Sequence, residues 1–133
     1  MEKNRNARTA EKTILIVDDE LGTLEVLEFI LDDAGFSVKA ALNGREALLR
    51  LEEGSIDLVI LDYMMPVLDG HRVIEAMRVN PKYSMIPIIL TSALPESTVR
   101  NRTDGYQVFL RKPYKTEPLM EAVFRLLNCH NET

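Results

Sequence analysis

Carboxylates directly follow two uninterrupted apolar runs of this sequence. Residues 14–17 lead into Asp18 and Asp19, and residues 58–61 lead into Asp62. Aliphatic runs without a polar break are typical of parallel strands buried on both faces, and ligands of open α/β sheets bind at the carboxyl ends of such strands. Like charges that meet there repel one another, and they are tolerated when a cation neutralises them or when they share protons. The sequence therefore predicts an acidic cluster that needs a functional explanation.

A hydroxyl group and an ammonium group follow two further apolar runs. Residues 87–90 lead into Thr91, and residues 107–110 are followed closely by Lys112. Taken singly, an Asp, Thr or Lys after a strand is most often a turn former, a local hydrogen-bonding residue or a solvated side chain. Taken together, these groups suit Mg²⁺ and an incoming phosphoryl group, whose transfer depends on positioning and charge neutralisation. One Asp would then act as the nucleophile and become an acyl phosphate.

Strands and helices must alternate to bring these residues together. The pattern predicts a single-domain α/β fold with a five-stranded parallel sheet and helices on both faces. The predicted strands are residues 13–17, 37–42, 57–61, 87–90 and 107–110, and the main helices are residues 21–34, 43–54, 71–79 and 115–127. Residues 95–105 hold poor helix formers, so we expect a short or frayed helix there. Residues 1–12 are predicted to be a flexible lead-in, 13–129 the domain, and 130–133 a tail.

Composition excludes several other classes of protein. The chain has 133 residues and a net charge of −5, and it lacks the basic patch that a nucleic-acid-binding surface needs. The single cysteine, Cys129 beside His130, cannot form an internal disulfide, and no cluster of Cys and His predicts a zinc site. No apolar stretch is long enough to span a bilayer or to form a signal peptide. We expect a cytoplasmic protein without direct contacts to nucleic acid or membrane.

These motifs together resemble the receiver domains of two-component response regulators. The segments that carry the resemblance are Asp18-Asp19-Glu20, Asp62-Tyr63-Met64-Met65-Pro66 with Asp69-Gly70, Thr91-Ser92-Ala93 and Lys112-Pro113. They stand in the family's order, and the resemblance covers residues 12–129. It implies the flavodoxin-like, doubly wound form of the α/β fold.

The resemblance implies a phosphoacceptor and a magnesium site. Asp62 matches the phosphoacceptor. Asp19 and Asp62 match the carboxylates that contact Mg²⁺ directly, and Asp18 matches one that acts through water. The backbone carbonyl of Met64 is expected to complete the metal site.

The resemblance also implies a conformational switch. Thr91 matches the switch hydroxyl and Lys112 the ammonium group that pairs with phosphate. Phe109 matches an aromatic residue that turns inward when the hydroxyl is drawn to the phosphate, although a strand residue of the core is the alternative for this position. Pro113 matches a proline that is usually cis in the family.

The implied function is that of a phosphorelay switch, not of a turnover enzyme. The phosphoryl donor would be a sensor histidine kinase, a phosphotransfer protein or a small donor such as acetyl phosphate. Acceptance would change the surface around strands four and five and the last helices. The output would pass through an unknown partner or an output domain missing from this chain.

Two departures from the family pattern affect these expectations. Tyr106 stands where the family usually has alanine, and it is expected to be an exposed partner contact or a strand residue packed beside Tyr114. Met64 and Ala93 flank the predicted phosphorylation site and cannot orient water through a carboxylate or an amide. They predict slow loss of the phosphoryl group.

Three rival functions fit the sequence less well. A magnesium-dependent phosphohydrolase typically carries a second Asp two residues after its nucleophile, and Met64 holds that position here. A receiver-like interaction module that is not phosphorylated usually lacks one acidic or Lys residue, and all are present. A flavin-binding domain would need a loop rich in Ser, Thr and Gly after the first strand, where Asp18-Asp19-Glu20 would repel a phosphate.

Overall fold

Residues 12–128 are described by a computed structural model, in which five parallel strands alternate with five helices. The strands are β1 (Thr13–Val17), β2 (Ser37–Ala41), β3 (Leu58–Asp62), β4 (Ile88–Ser92) and β5 (Val108–Arg111). The helices are α1 (Leu21–Asp33), α2 (Gly44–Glu53), α3 (Gly70–Val79), α4 (Glu96–Arg100) and α5 (Thr116–Leu126). The strands form one sheet in the order β2-β1-β3-β4-β5, which confirms the predicted doubly wound α/β fold.

The sheet is covered on both faces because its central strands are apolar except at their carboxyl ends. Every residue of β3 and of β4 is buried. On one face the core packs against α1 and α5, whose buried residues include Leu27 and Leu119. On the other face it packs against α2, α3 and α4, through residues such as Leu51 and Met77. Because helices cover both faces, polar residues can gather only at the two ends of the strands.

Strands β3, β4 and β5 run one or two residues further than the sequence predicted. Asp62 pairs with Thr91, and Ser92 pairs with Arg111. Backbone hydrogen bonds also continue past the strands, since Tyr63 N donates to Thr91 O at 2.8 Å and Lys112 N donates to Ser92 O at 2.8 Å. The polar residues are thus held by the sheet itself, because backbone pairing does not stop where the apolar run stops.

Local sequence explains where the helices begin and end. The Asn43 side chain accepts a hydrogen bond from Glu46 N, and the Asp69 side chain accepts one from Arg72 N, so that α2 and α3 are both capped. Helix α4 is only 5 residues long, and Val99 is its one buried residue. The expectation of a short helix between β4 and β5 is confirmed.

Some predictions concern residues outside the described range. Most of the lead-in predicted over residues 1–12 lies there, as do Cys129, His130 and the tail predicted over residues 130–133. Among residues 12–128, no helix combines the length and the apolarity that crossing a membrane requires.

Candidate functional site

The predicted acidic cluster forms at the carboxyl edge of the sheet. Asp18 follows β1 and Asp62 ends β3, and a carboxylate oxygen of each lies within 4.8 Å of one from Asp19. Asp18 and Asp62 are only 3% and 5% exposed, whereas Asp19 is exposed. Asp18 is further fixed because its Oδ1 accepts a hydrogen bond from Glu20 N at 2.9 Å. Two nearly buried carboxylates at such a distance require a positive partner.

Lys112 provides that positive charge at the end of β5. Its Nζ donates to Asp18 Oδ2 at 2.8 Å and lies 3.5 Å from Asp62 Oδ1. Burial lowers the pKa of Lys112, but the hydrogen bond to Asp18 and the charges of both carboxylates outweigh burial and raise it. The ammonium group is therefore charged, and its shorter contact is with Asp18. The peptide bond between Lys112 and Pro113 is cis, as the resemblance implied.

The environment of Asp62 strongly disfavours the charged form of its carboxyl group. Burial and then the charge of Asp18 raise the pKa of Asp62 to about 6, although Lys112 acts in the opposite direction. The group is thus largely ionised at neutral pH, yet it carries a charge that its surroundings disfavour. Such a carboxylate is stabilised when a cation neutralises its charge or when a covalent bond removes it.

Thr91 and Ser92 lie beside Asp62 at the end of β4. They are only 2% and 1% exposed. The Thr91 hydroxyl makes a long contact of 3.5 Å with Leu61 O, while the Ser92 hydroxyl accepts a hydrogen bond from Leu94 N at 3.1 Å. Ser92 therefore stabilises the loop after β4, whereas the Thr91 hydroxyl has a weak bond that it can give up for a stronger acceptor.

A cavity of about 730 Å³ opens next to the acidic cluster. Its walls come from the start of α1, the loop after β4 and the loop between β5 and α5, and its polar lining includes Asp18, Asp19 and Lys112. Ala93 and Tyr114 also line it. The cavity gives a group from solvent or from a partner access to the edge where these side chains meet.

The loop between β3 and α3 forms the other wall of the site. The Met64 side chain is 57% exposed. Its thioether is at most a weak hydrogen-bond acceptor, so it offers no strongly polar group to the acidic cluster. Val67 has a φ of 73°, and Leu68 N donates to Pro66 O at 2.8 Å across it, which closes a strained three-residue turn. The loop is folded back tightly beside Asp62.

Gly70 makes this tight folding possible. A Cβ at this position would lie 2.8 Å from Tyr63 Cα and 3.0 Å from Asp62 O, and Gly70 N donates to Tyr63 O at 2.9 Å. In the sequence Gly70 is recognisable only as part of the Asp69-Gly70 motif, which does not predict this close approach. The signal available in the sequence is a glycine directly after a capping Asp69.

Replacing Gly70 with alanine should destabilise the protein by about 1–3 kcal/mol, because the new methyl group meets backbone that cannot move aside. Urea unfolding at equilibrium measures this. The matched control is Gly22→Ala in α1, where a Cβ meets nothing within 4 Å and helix propensity favours alanine by about 0.5–1 kcal/mol. Equal stability of Gly70→Ala and the parent protein would contradict the steric argument.

The two aromatic residues of the β5 region pack together. The ring centroids of Tyr106 and Phe109 are 6.2 Å apart, and both rings are half-buried against the α2–α4 face of the sheet. Tyr114 packs on the opposite face, so the expectation that Tyr106 packs beside Tyr114 is wrong. Tyr106 precedes β5 and Tyr114 follows it, and the sheet lies between the two side chains.

Arg78 holds the entry to β5, a role that sequence analysis missed. Its guanidinium donates to Gly105 O at 2.9 Å, and it also donates to Ser84 O at 3.0 Å and Ile86 O at 2.9 Å. Burial lowers the pKa of Arg78. An arginine in the last turn of a helix is ordinarily a solvated residue, and nothing in the sequence indicates that it bridges two loops.

Comparison with known proteins agrees with the geometry of this site. The family model of the response regulator receiver domain matches residues 14–124. The phosphate regulon transcriptional regulatory protein PhoB of Rhizobium meliloti (strain 1021) is 35% identical over 116 residues, which cover 86% of this chain and 51% of that protein. The chain spans about half the length of the curated relatives that it matches first.

Solved structures share the fold over nearly all of their length. The signal receiver domain of a signal transduction histidine kinase from Syntrophus aciditrophicus is 36% identical with a TM-score of 0.81, and the match covers 88% of this chain and 90% of that one. The receiver domain of a sensor histidine kinase from Pseudomonas aeruginosa PAO1, solved with a magnesium ion coordinated in its active site cleft, is 27% identical with a TM-score of 0.83. That match covers 90% of this chain and 99% of the other.

Proposed function

This chain belongs to the response regulator receiver domains of two-component signal transduction, and on that basis we propose that it is a magnesium-dependent phosphoacceptor switch. The phosphoryl group is accepted on Asp62 from the phosphohistidine of a sensor histidine kinase or a phosphotransfer protein. It is later lost by hydrolysis, so the protein is a signalling component that does not turn over a substrate.

The observation that carries this proposal is the environment of Asp62. This carboxylate is 5% exposed, lies near two other carboxylates, and has the Lys112 ammonium at 3.5 Å. A merely structural acid would gain nothing from the two neighbouring carboxylates, which raise its pKa. A nucleophile that must attack an anionic phosphoryl group benefits from the cations that these neighbours attract or supply.

Mg²⁺ fits the donor set of the site. The three carboxylates of Asp18, Asp19 and Asp62 offer hard oxygen ligands within 4.8 Å of one another, and Mg²⁺ is usually bound by one or two carboxylates with several waters retained. Asp19 and Asp62 would bind it directly, Asp18 through water, and Met64 through its backbone carbonyl. When bound, Mg²⁺ supplies neutralisation of the charge on phosphoryl oxygens.

Transfer itself is carried by the protein's own side chains. An Asp62 carboxylate oxygen attacks the phosphorus atom, and the bond from phosphorus to the donor atom breaks with its electron pair left on the donor. Lys112 moves from Asp18 toward the transferred oxygens and stabilises their charge. Because the pKa of Asp62 is about 6, the attacking carboxylate is ionised at neutral pH without further activation.

The change of state follows from Thr91, which pairs with Asp62, and from Phe109 on the neighbouring strand β5. The Thr91 hydroxyl exchanges its long 3.5 Å contact with Leu61 O for a hydrogen bond to a phosphoryl oxygen. Phe109, half-buried at the register position of Leu90, then turns inward. These movements alter the surface of α4, β5 and α5, where we place the output of the signal.

The phosphoryl donor is another molecule, and the signal is passed on by another molecule or by a segment outside this chain. The donor reaches Asp62 through the cavity lined by Asp18, Asp19 and Lys112. Because the chain matches about half of a transcriptional regulatory protein, its output passes either to a separate partner or to a domain outside this chain. The receiver domain itself makes no contact with nucleic acid or membrane.

The proposal is tested by incubation with acetyl phosphate and Mg²⁺. The protein should gain a phosphoryl group that hydroxylamine removes, as an acyl phosphate requires. A phosphoryl group that survives hydroxylamine would contradict acceptance on Asp62, and continuous turnover of a generic phosphate ester would favour the phosphohydrolase instead.

Loss of the phosphoryl group should be slow, because Met64 and Ala93 offer no polar group to orient the attacking water. Ala93 lines the cavity beside Asp18, and Met64 is exposed two residues after Asp62. The variants Met64→Asn and Ala93→Glu should accelerate decay of the acyl phosphate, by up to about a hundredfold, the lower end of what a positioned acid or base contributes. Val67→Asn, in the same loop, is the control and should leave decay unchanged. Absence of acceleration in both variants would refute this explanation.

A further inference from the structure

Tyr106 is held between two elements of the proposed output surface. Its ring lies 6.2 Å from the ring of Phe109 on β5, and its hydroxyl donates to Glu96 Oε2 on α4 at 3.1 Å. The alanine that the family usually has at this position could make neither contact. Tyr106 therefore gives this chain a link between β5 and α4.

Helix α4 has few other attachments. It is 5 residues long and buries only Val99. Glu96 lies in its first turn and also pairs with Arg100 one turn later, and the guanidinium of Arg100 interacts with the Tyr106 hydroxyl as well. Since one buried side chain holds α4 to the core, the hydrogen bond from Tyr106 is a substantial part of what fixes its position.

The backbone around Tyr106 is, in contrast, firmly anchored. Gly105 O accepts from the Arg78 guanidinium at 2.9 Å, and Gln107 Oε1 accepts from Ile88 N at 2.7 Å. Gly105 also has a φ of 87°, and a Cβ there would lie 3.0 Å from Ile74 Cγ2. The backbone at Tyr106 is therefore held in place when α4 moves, and a movement of α4 beyond hydrogen-bond reach breaks the bond between Tyr106 and Glu96.

We propose that Tyr106 is a positioning residue that opposes switching: it holds Phe109 and α4 in their resting places until Asp62 is phosphorylated. The inference rests on the proposed function and adds to it a determinant of how readily this chain switches. An inward turn of Phe109 gives up the contact with the Tyr106 ring. A shift of α4 gives up the hydrogen bond with Glu96. Both contacts are present in the resting state and are lost on switching, so they stabilise the resting state.

The inference is tested by binding of beryllium trifluoride, a stable mimic of the phosphoryl group, in the presence of Mg²⁺. Removing a resting-state hydrogen bond should tighten binding about three- to tenfold in Tyr106→Phe. Glu96→Ala should tighten it similarly, and the double variant should bind no more tightly than either single variant. Tyr106→Ala, which also removes the ring contact, should bind more tightly still.

Tyr83→Phe is the matched control, because Tyr83 packs against the same face of the sheet and should leave affinity unchanged on losing its hydroxyl. Unchanged or weaker binding in Tyr106→Phe, or additive effects in the double variant, would overturn the inference. Urea unfolding of the same variants distinguishes a role in switching from a purely structural role. A purely structural role would lower stability without changing the affinity for beryllium trifluoride. If the parent protein binds no beryllium trifluoride, the proposed function itself fails.

Discussion

Replacing Lys112 with methionine should lower the rate of phosphoryl acceptance by about 10²- to 10³-fold, the usual effect of removing one donor that stabilises developing negative charge. Methionine keeps a long apolar side chain but has no charge. Among residues 12–128, Lys112 provides the cation that pairs with Asp62, at 3.5 Å, and it is already half-buried and fixed by Asp18 at 2.8 Å. The rate is measured with acetyl phosphate at saturating Mg²⁺.

Magnesium affinity should change in the opposite direction in the same variant. Lys112 competes with Mg²⁺ for the carboxylates of Asp18 and Asp62, so its removal leaves more negative charge for the metal. One unit charge at about 4 Å is worth about 1–4 kcal/mol at the dielectric constants of water and of a protein surface. Binding of Mg²⁺, measured by calorimetry, should therefore tighten while phosphoryl acceptance falls.

Lys39→Met is the control for both measurements, because Lys39 lies at the register of Leu15 on β2 and pairs with Glu53 at 3.7 Å, not with a carboxylate of the acidic cluster. It should change neither the rate nor the metal affinity. If Lys112→Met accepts phosphoryl groups at the parental rate, Lys112 does not stabilise the transferred oxygens.

Replacing Asp62 with asparagine should stabilise the folded protein by about 2–3 kcal/mol at pH 8 without Mg²⁺, and this gain should vanish near pH 4. Burial and the charge of Asp18 raise the pKa of Asp62 from 3.8 to about 6. A shift of one pKa unit corresponds to about 1.4 kcal/mol, so a charged Asp62 destabilises the fold by about 3 kcal/mol at most. Asparagine has nearly the same shape and no charge to bury.

The direction of the pH dependence follows from proton binding. Between the unfolded pKa of 3.8 and the folded value of about 6, the folded state binds more protons at Asp62 than the unfolded state does. The contribution of this group to stability is therefore fully present below pH 3.8 and is lost as pH rises through 6. At higher pH the contribution of Asp62 to stability has been lost completely and does not change further with pH.

Urea unfolding at several pH values in EDTA measures the difference between the parent protein and Asp62→Asn. Asp33→Asn is the control, because it makes the same chemical change at an exposed position of α1 and leaves the acidic cluster intact. A variant that is less stable than the parent protein at pH 8 would show that Asp62 is stabilised, not strained, by its surroundings.

The sequence was sufficient to predict the fold and the place of the site. Aliphatic runs fix which segments are buried strands, and parallel strands bring their carboxyl ends to one edge whatever the loops do. Asp18, Asp62, Thr91 and Lys112 therefore meet there, as predicted. The strand ends were misplaced by a residue or two, because the apolar pattern stops before the backbone hydrogen bonds do.

What the sequence could not predict depends on distances of an ångström or less. Nothing in it indicates that Lys112 lies closer to Asp18 than to Asp62. The steric limit at Gly70 and the carbonyl contacts of Arg78 depend on how separate loops approach one another. The placement of Tyr106 was open between two alternatives, and its bond to Glu96 required the position of α4 to be known.

The most direct test of the account is the intact mass of the protein after incubation with acetyl phosphate and Mg²⁺. The parent protein should gain one phosphoryl group, Asp33→Ala should gain the same, and Asp62→Ala should gain none. Omission of Mg²⁺ with EDTA present should suppress the gain in the parent protein. A folded Asp62→Ala variant that is phosphorylated at the parental rate would contradict the assignment of Asp62 as the phosphoacceptor.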